Sequence, residues 1–404
     1  MNINDIHKLN TNIFNDLSVE DFLDQYWQKK PLLIRNAFPG IQSPLTAEEL
    51  AGLACEEDVN ARLVLEKDGD YPWQAECGPF EESRFAQLPD SHWSLLISDV
   101  EKYLPETKSL VKPFRFLPDW RLDDLMISYA PTGGSVGPHV DDYDVFLIQL
   151  SGLRLWKISE NFPNETIDDV DLRILKNFTA EQEWLCKPGD LLYLPPNVAH
   201  HGIAQSCKDE QGNEKNCMTA SVGFRAPSLK TMTSDYVNFL NENAHSATRF
   251  IDNFPVKPEH HAEISEDTVS QFIDYLKQGL SLKPELVKQW LGQYRSDNKG
   301  FEDFCNEQDD VAYDELSAIA TASGLIQSPF SKFLFSYSGE KTLLFVNGDS
   351  YKVSKSFAEQ LCEDDVIDFQ QLQQGMTTND KQVLLTLFNV GAVIFGSEKN
   401  GTLT

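Results

Sequence analysis

Residues 188–200 read Pro-Gly-Asp-Leu-Leu-Tyr-Leu-Pro-Pro-Asn-Val-Ala-His, and residues 137–141 read Gly-Pro-His-Val-Asp. The first stretch has the spacing glycine, five residues, proline, one residue, asparagine, two residues, histidine. The second stretch places His139 two positions before Asp141, where an apolar strand is about to begin. Alternate residues of an extended chain face the same side. We therefore expect both side chains to enter one cavity, together with His200.

Two imidazoles and one carboxylate form the facial triad of non-haem Fe(II) oxygenases, which leaves coordination positions for a bidentate co-substrate and for O2. The sequence predicts that His139, Asp141 and His200 bind the metal. His201 competes with His200 for this role. The motif spacing ends on His200, and strand alternation turns His201 away from the cavity.

The spacing at 188–200 is that of the second cupin motif, with Asn197 where glycine is usual. Asparagine tolerates a left-handed backbone better than most other residues, so the departure is mild. Between about 121 and 225 short apolar strands alternate with Gly, Pro, Ser and Asn turns, which indicates a β-barrel or sandwich. The strands are predicted at 125–129, 145–150, 153–158, 184–187, 191–194 and 218–224.

The flanking segments give the chain a mixed, α+β character. Residues 19–28 and 46–54 have helical patterns, the second with a possible capping box between Thr46 and Glu49. Beyond the barrel, helices and a small hairpin predict a helical region and a winged-helix-like module. We predict a double-stranded β-helix (cupin jelly-roll) domain at 1–227, a helical domain at 228–300 and the winged-helix-like domain at 301–404.

Arg154 lies in a strand that is otherwise apolar at neighbouring positions. Inside a barrel its guanidinium would need an anion, and the distal carboxylate of a dicarboxylate co-substrate would match it in bidentate geometry. The alternative is an outer-face arginine paired with an acid. The spacing alone does not decide between them.

Asp124, Met126 and Ser128 alternate on one face of the strand that precedes the His-X-Asp pair. An acid, a thioether and a hydroxyl pointing inward suit a pocket for a cationic side chain. Tyr143 could stack on that cation, and Ser221 begins the strand that should close the barrel. Plain structural roles are the alternative for each residue taken singly.

Composition limits the possible partners. With 63 acidic and 34 basic residues the net charge is −29, which disfavours nucleic acid and favours basic partners, although solubility alone also explains it. Residues 301–404 carry 6 Lys, no Arg and 16 acids, a net of −10, so the tail is not expected to contact phosphates. Seven scattered cysteines, no signal segment and no membrane-spanning run predict a soluble cytoplasmic protein.

Four stretches of the chain resemble the JmjC/cupin ribosomal oxygenases, and most of all their bacterial branch, the arginine hydroxylases of large-subunit protein L-16. The helical and winged-helix-like tail also fits the three-part layout of that family. The stretches are YWQKKPLLIRNAF (26–38), RLDDLMISYAPTGGSVGPHVDDYDVFLIQLSGLRLWKI (121–158), PGDLLYLPPNVAH (188–200) and SVGFRAP (221–227).

The resemblance implies an Fe(II)- and 2-oxoglutarate-dependent dioxygenase with O2 as the second co-substrate. It implies that Arg154 binds the distal carboxylate of 2-oxoglutarate and that Ser128 contacts the co-substrate. It further implies a homodimer through residues 228–300. The residues expected around a substrate arginine, hydroxylated at its β carbon, are Asp124, Met126, Tyr143 and Ser221.

Two departures from the family pattern are Asn197 and a charged excursion at 208–215, and the second leaves the approach of the substrate open. The alternatives are a JmjC oxygenase acting on a histidine or a methylated residue, and a metal-binding cupin without oxygenase activity. A nucleic-acid role for the tail is disfavoured by its charge.

Overall fold

The structure is a computed structural model. It describes residues 13–66, 73–168, 170, 172–208, 211, 212, 214–243, 249–251, 260–298, 300, 301, 304, 311–339 and 341–396. The chain forms two compact units, Met1–Ala226 and Pro227–Thr404. None of the helices in the described ranges is long and apolar enough to cross a membrane.

The first unit contains twelve strands and four short α-helices among its described residues. The strands are β1 Leu32–Ile34, β2 Ala61–Glu66, β3 Trp73–Cys77, β4 Trp93–Ile97, β5 Leu125–Ala130, β6 His139–Val140, β7 Asp144–Ser151, β8 Leu153–Ser159, β9 Gln182–Cys186, β10 Leu191–Leu194, β11 Ala199–Gln205 and β12 Cys217–Phe224. The helices are α1 Val19–Gln25, α2 Ala47–Leu53, α3 Glu82–Phe85 and α4 Val100–Tyr103.

Two antiparallel sheets build the barrel. The larger has the strand order β1-β10-β7-β12-β5-β4-β2-β3, and the smaller has the order β6-β11-β8-β9. β7 and β8 follow one another through Gly152, whose φ of 64° is one that residues with a Cβ rarely adopt. β7 continues the large sheet and β8 the small one, so the chain passes from one sheet to the other. This is the predicted double-stranded β-helix.

Side-chain alternation divides the large sheet into an outer and an inner face. Leu125 and Ile127 of β5 are fully buried in the main hydrophobic core, which also contains residues of α1 and α2. Val145 and Leu147 of β7 belong to a second cluster with Trp156 of β8. This second cluster lies between the two sheets, and it defines the barrel interior.

The N-terminal segment is fixed to the barrel as the sequence predicted. α1 begins at the N-cap Ser18, and α2 has the complete capping box between Thr46 and Glu49. β1 extends the large sheet by pairing with β10. Arg35, next to β1, also contacts buried Asp190 at 2.6 Å, just before β10. Residues near the start of the chain therefore support the turn that leads to His200.

The second unit has helices α5 Leu229–Asn243, α6 Glu266–Gly279, α7 Pro284–Ser296, α8 Tyr313–Ser323, α9 Lys355–Glu363, α10 Phe369–Gly375 and α11 Thr378–Asn389. Its strands are β13 Leu325–Gln327, β14 Phe333–Ser338, β15 Lys341–Val346, β16 Asp349–Val353, β17 Val366–Ile367 and β18 Val393–Phe395. β14, β15 and β16 form one antiparallel sheet, and β17, β13 and β18 form another. The predicted winged-helix-like module is thus a helical domain with small antiparallel sheets.

The domain boundary predicted at residue 300 stays a prediction. The contacts of α7, which ends before that residue, are relevant to where the boundary lies. Gly292 of α7 lies against the ring of Phe345, where an added Cβ would meet ring carbons at 2.3 Å. Gln293 donates a hydrogen bond to the carbonyl of Gly348 at 3.0 Å. α7 therefore packs on the β14–β16 sheet, although it precedes residue 300. The excursion 208–215 lies partly outside the described residues; Lys208 and Glu214 form an antiparallel bridge.

Candidate active site

His139, Asp141 and His200 come together at one end of the barrel, and their ligand atoms all lie within 4.8 Å of one another. The Nε2 atoms of His139 and His200 are 3.9 and 3.6 Å from Oδ2 of Asp141. Two donors bound in adjacent positions at about 2.1 Å from one metal lie about 3 Å apart. A small inward movement of the three side chains would therefore form a metal site.

Both imidazoles have one nitrogen engaged and one free for a metal. Nδ1 of His139 lies 2.9 Å from the carbonyl oxygen of Gly137, and Nδ1 of His200 lies 3.0 Å from that of Val198. These carbonyls can only accept, so Nδ1 carries the proton and Nε2 offers its lone pair. Burial, followed by the nearby His139, lowers the pKa of His200 to about 4. A neutral imidazole is the form that binds a metal.

His201 points to the other side of the small sheet. His200 pairs with Ile158, which belongs to the inner cluster, whereas His201 pairs with Lys157. The ring of His201 instead has an edge contact with Phe178, at 6.3 Å between centroids. The predicted alternation is therefore found in β11, where His200 faces the cavity and His201 faces away from it.

Asn197 has a positive φ of 63°, the left-handed conformation expected where the motif usually has glycine. Its amide donates to the carbonyl oxygen of Asp141 at 2.9 Å. This bond joins the turn before β11 to the loop after β6. Asn197 therefore helps to hold two metal-binding segments side by side.

Arg154 faces the barrel interior and is only 4% exposed, which decides between the two orientations left open by its spacing. It precedes inward-facing Trp156 by two residues. Its Nε lies 3.3 Å from Sγ of Cys217, while its Nη2 is buried and has no hydrogen-bond partner in the part of the chain that the structure describes. A buried guanidinium nitrogen without a partner is costly, and an anion would satisfy it.

Other polar side chains share the interior with Arg154. Thr219 donates to Oε1 of Gln149 at 3.1 Å, and Gln149 donates to the Cys217 sulfur at 3.3 Å. The Ser128 hydroxyl lies 3.4 Å from the carbonyl oxygen of Thr219. This polar patch, on an otherwise apolar wall, fits a carboxylate held at the bottom of the barrel and a keto-acid end nearer the metal.

The residues predicted for a cationic substrate lie on β5, β12 and the loops beside them. Met126 pairs with Ser221, and both are on the inner face. Tyr143 packs against the inner cluster. Asp124 precedes β5, and its Oδ1 would lie 3.0 Å from a Cβ added at Gly223, so glycine leaves room for the carboxylate.

Asp124 is a half-buried acid with few groups nearby to stabilise its charge. No side-chain hydrogen bond or ion pair to it occurs among the described residues. Burial, followed by Asp99 and Asp123, raises the pKa of Asp124 to about 7, although Arg225 and Lys102 oppose the shift. Such a carboxylate would be stabilised in its charged form by an incoming cation.

Sequence reasoning did not single out Arg225, the residue after β12. Its guanidinium lies over the ring of Tyr143, 5.2 Å from the centroid, and its Nε is 3.2 Å from Oδ2 of Asp123. Glu101 was also missed: it is 9% exposed and accepts the amide hydrogen of Leu125 at 3.1 Å. A lone basic residue in the Ser221–Pro227 stretch was the available signal for Arg225; α4 offered none for Glu101.

Three features define a metal- and oxoacid-dependent oxygenase of the cupin type: the interlocked sheets, the histidine–aspartate–histidine cluster, and an inward arginine whose buried Nη2 lacks a hydrogen-bond partner among the described residues. In agreement with this, residues 109–232 match the JmjC domain family and residues 274–393 match the ROXA-like winged helix. The second match also begins before residue 300.

Among curated proteins, the chain is similar to oxygenases that act on ribosomal proteins. The chain is 38% identical to ribosomal protein uL16 3-hydroxylase of Escherichia coli strain K12, over 70% of this chain and 72% of the relative. It is 39% identical to a probable ribosomal oxygenase of Haemophilus influenzae, over 54% and 52% of the two chains.

Solved structures of a ribosomal oxygenase are similar to this chain over nearly its whole length. An X-ray structure of E. coli YcfD has a TM-score of 0.83 and 30% identity, covering 94% of this chain and 98% of that one. A structure of the ribosomal oxygenase YcfD in complex with cobalt and 2-oxoglutarate has a TM-score of 0.79 at the same identity and coverage. The chain belongs to the JmjC-domain ribosomal oxygenases, and it is an Fe(II)- and 2-oxoglutarate-dependent enzyme.

Proposed function

We propose that this enzyme hydroxylates the β carbon of an arginine side chain in large-subunit ribosomal protein L-16 (uL16). The observation that carries the arginine assignment is Asp124, a half-buried carboxylate without an ion-pair partner among the described residues. The relative named as a uL16 3-hydroxylase supports the choice of protein, and position 3 of an amino acid is its β carbon.

In this proposal Asp124 accepts two hydrogen bonds from the substrate guanidinium, and Tyr143 stacks on its planar face. Met126 and Ser221 line the aliphatic part of the side chain. Their adjacent positions in β5 and β12 support this role, because both face the interior. The β carbon would then be presented to the metal end of the barrel.

His139, Asp141 and His200 would hold Fe(II), while Arg154 and Ser128 would hold 2-oxoglutarate. When bound, iron and 2-oxoglutarate together activate O2 for insertion of one oxygen atom into a C–H bond. The chain's own contribution is orientation and exclusion of water: buried Leu192 and Leu194 of β10 and Trp156 of β8 form the apolar wall around the reacting atoms.

Arg154→Ala should raise the apparent KM for 2-oxoglutarate sharply, because a buried carboxylate would lose its charge partner. The expected loss is about 2–5 kcal/mol, which corresponds to roughly 30-fold or more. Steady-state succinate formation against 2-oxoglutarate concentration measures it. Arg154→Lys should recover part of the affinity, and an unchanged KM in the alanine variant would exclude Arg154 from co-substrate binding.

Incubation of the Fe(II)-loaded enzyme with 2-oxoglutarate and L-16 peptides tests the substrate assignment. The arginine peptide should gain 16 Da, and peptides with lysine or histidine at the same position should gain little, since neither presents a planar pair of donors to Asp124. Tandem mass spectrometry locates the added oxygen. Preference for the histidine peptide would overturn the arginine assignment.

The acidic character of the enzyme supports a basic protein substrate. The net charge of −29 would attract basic ribosomal proteins over long range and speed their association, particularly at low ionic strength. Since L-16 is made and assembled with the ribosome, the proposal also places the enzyme in the cytoplasm.

We further propose that the helical region 228–300 forms a homodimer. α6 has no fully buried residue, and its apolar residues recur at helical spacing on one exposed face. They are Val269, Phe272, Ile273 and Leu276, followed by Leu280 at the C-cap, each at least 40% exposed. A contiguous apolar helix face of this kind is typical of a self-association surface.

Sedimentation velocity should give twice the chain mass for the wild type and the mass of a single chain for Phe272→Asp, because a charged side chain would be placed on the apolar face. A monomeric wild type would contradict the dimer.

A further inference from the structure

Arg225 already fills part of the pocket proposed for the substrate arginine. Its guanidinium lies over Tyr143, 5.2 Å from the ring centroid, and contacts Asp123 at 3.2 Å. Its charge also acts on Asp124, whose pKa it lowers against the larger effect of burial. The enzyme therefore presents to Tyr143 and the two carboxylates the same chemical group that it is proposed to bind.

The partners of Arg225 differ from it in exposure. The Arg225 side chain is 59% exposed, whereas that of Asp123 is 29% exposed. Tyr143 packs on the barrel interior, and Asp124 rests against the backbone of Gly223. The side chains of Tyr143 and Asp124, which would receive the substrate guanidinium, are thus held in place by packing. The long arginine side chain lies at the surface and can move at little cost in buried area.

We infer that Arg225 is a placeholder cation, a guanidinium of the enzyme that occupies the face of Tyr143 until the substrate guanidinium displaces it. This inference rests on the proposed function. Two carboxylates, Asp123 and Asp124, face this region, so both guanidinium groups can be neutralised after the exchange. Arg225 keeps its ion pair with Asp123, and the substrate takes Tyr143 and Asp124.

A placeholder of this kind sets the affinity of the pocket for every ligand, because each ligand must displace the same cation–π contact between Arg225 and Tyr143. An arginine substrate restores that contact and adds two donors to Asp124. A neutral imidazole or a compact ammonium restores less, so the pocket prefers arginine through its fit, while the displacement of Arg225 weakens the binding of all three ligands equally.

Binding of fluorescent L-16 peptides to the Fe(II)- and 2-oxoglutarate-loaded enzyme, without O2, tests the inference. Arg225→Ala should bind the arginine peptide about threefold to tenfold more tightly, because no internal cation has to leave. Its affinity for the lysine peptide should rise by a similar factor, because both peptides displace the same internal cation. Arg225→Lys should lie between the two proteins.

Arg62→Ala is the matched control, since Arg62 is exposed on β2 and its loss changes the net charge equally. It should leave the affinity for the arginine peptide close to that of the wild type. Weaker or unchanged binding of the arginine peptide by Arg225→Ala, or an equal gain in affinity in Arg62→Ala, would refute the placeholder. If the wild type binds no arginine peptide selectively, the proposed function itself fails, and this outcome is distinct from the first.

Discussion

Replacing His200 or His139 by alanine should abolish Fe(II) binding and all coupled 2-oxoglutarate turnover, whereas His201→Ala should retain most of both. This is the largest effect that we expect. His200 directs Nε2 towards Asp141 at 3.6 Å and lies on the inner face of β11. A facial triad that loses one imidazole keeps two protein ligands, too few to hold the metal in a fixed geometry. Calorimetric titration with Fe(II) under anaerobic conditions measures the binding directly.

His201→Ala is the matched control because it removes the same group one residue away. Since His201 is part-buried against Phe178, its loss should cost some stability, which thermal unfolding would report separately. Inactive His201→Ala together with active His200→Ala would show that the register of β11 has been assigned to the wrong face.

Asp124→Ala should eliminate hydroxylation of the L-16 arginine peptide while leaving Fe(II) and 2-oxoglutarate affinities nearly intact. The reason is that a substrate guanidinium would be desolvated without its carboxylate partner, which costs several kcal/mol in a partly buried site. Mass spectrometry of the peptide and calorimetry with 2-oxoglutarate separate the two effects. Asp90→Ala, an exposed acid elsewhere on the same unit, controls for the change in net charge.

The pH dependence gives Asp124 a second signature. Burial raises the pKa of Asp124 to about 7, and Asp99 and Asp123 act in the same direction against Arg225 and Lys102; Glu101 lies nearby and has a pKa raised to about 8. Binding a guanidinium requires the carboxylate, so peptide affinity should fall as pH decreases through about 7.

Stability should show the opposite trend, because the unfolded chain ionises this acid near its usual value of 3.8. Between that value and about 7 the native state holds the extra proton, so the Asp124 contribution to stability falls as pH rises. Asp124→Asn should therefore unfold at a higher temperature than the wild type at pH 8, and its peptide affinity should not change near pH 7. Wild-type turnover by Asp124→Ala would refute the role of this acid.

The metal cluster and the barrel could be predicted because their determinants are local. His139 and Asp141 are two residues apart, and the spacing from Gly189 to His200 fixes a turn whose left-handed residue, Asn197, is as expected. The extended backbone at His200 and His201 was expected, but the extent of strand β11 was not predicted, since its sequence Ala-His-His-Gly-Ile-Ala-Gln has no clear apolar alternation. It exists because it pairs with β6 on one side and β8 on the other.

The orientations of Arg154 and Arg225 could not be predicted from local sequence patterns. The inward orientation of Arg154 depends on which face of β8 meets the other sheet, and its neighbour Cys217 is distant in sequence. The contact of Arg225 with Tyr143 requires the register of β12 against β7, where Phe224 pairs with Asp144. Cross-strand registers are set by the whole sheet rather than by residues close in sequence.

The last strand of the barrel in the chain, β12, lies in the middle of the large sheet between β7 and β5. During synthesis, neither neighbour can complete its hydrogen bonding until residue 224 has left the ribosome, since β12 follows both β5 and β7 along the chain. Such non-local pairing slows folding and makes it a late, cooperative event. The interior pocket, whose wall includes Thr219 and Ser221 of β12, is therefore complete only after this final closure, although the three metal ligands all leave the ribosome earlier.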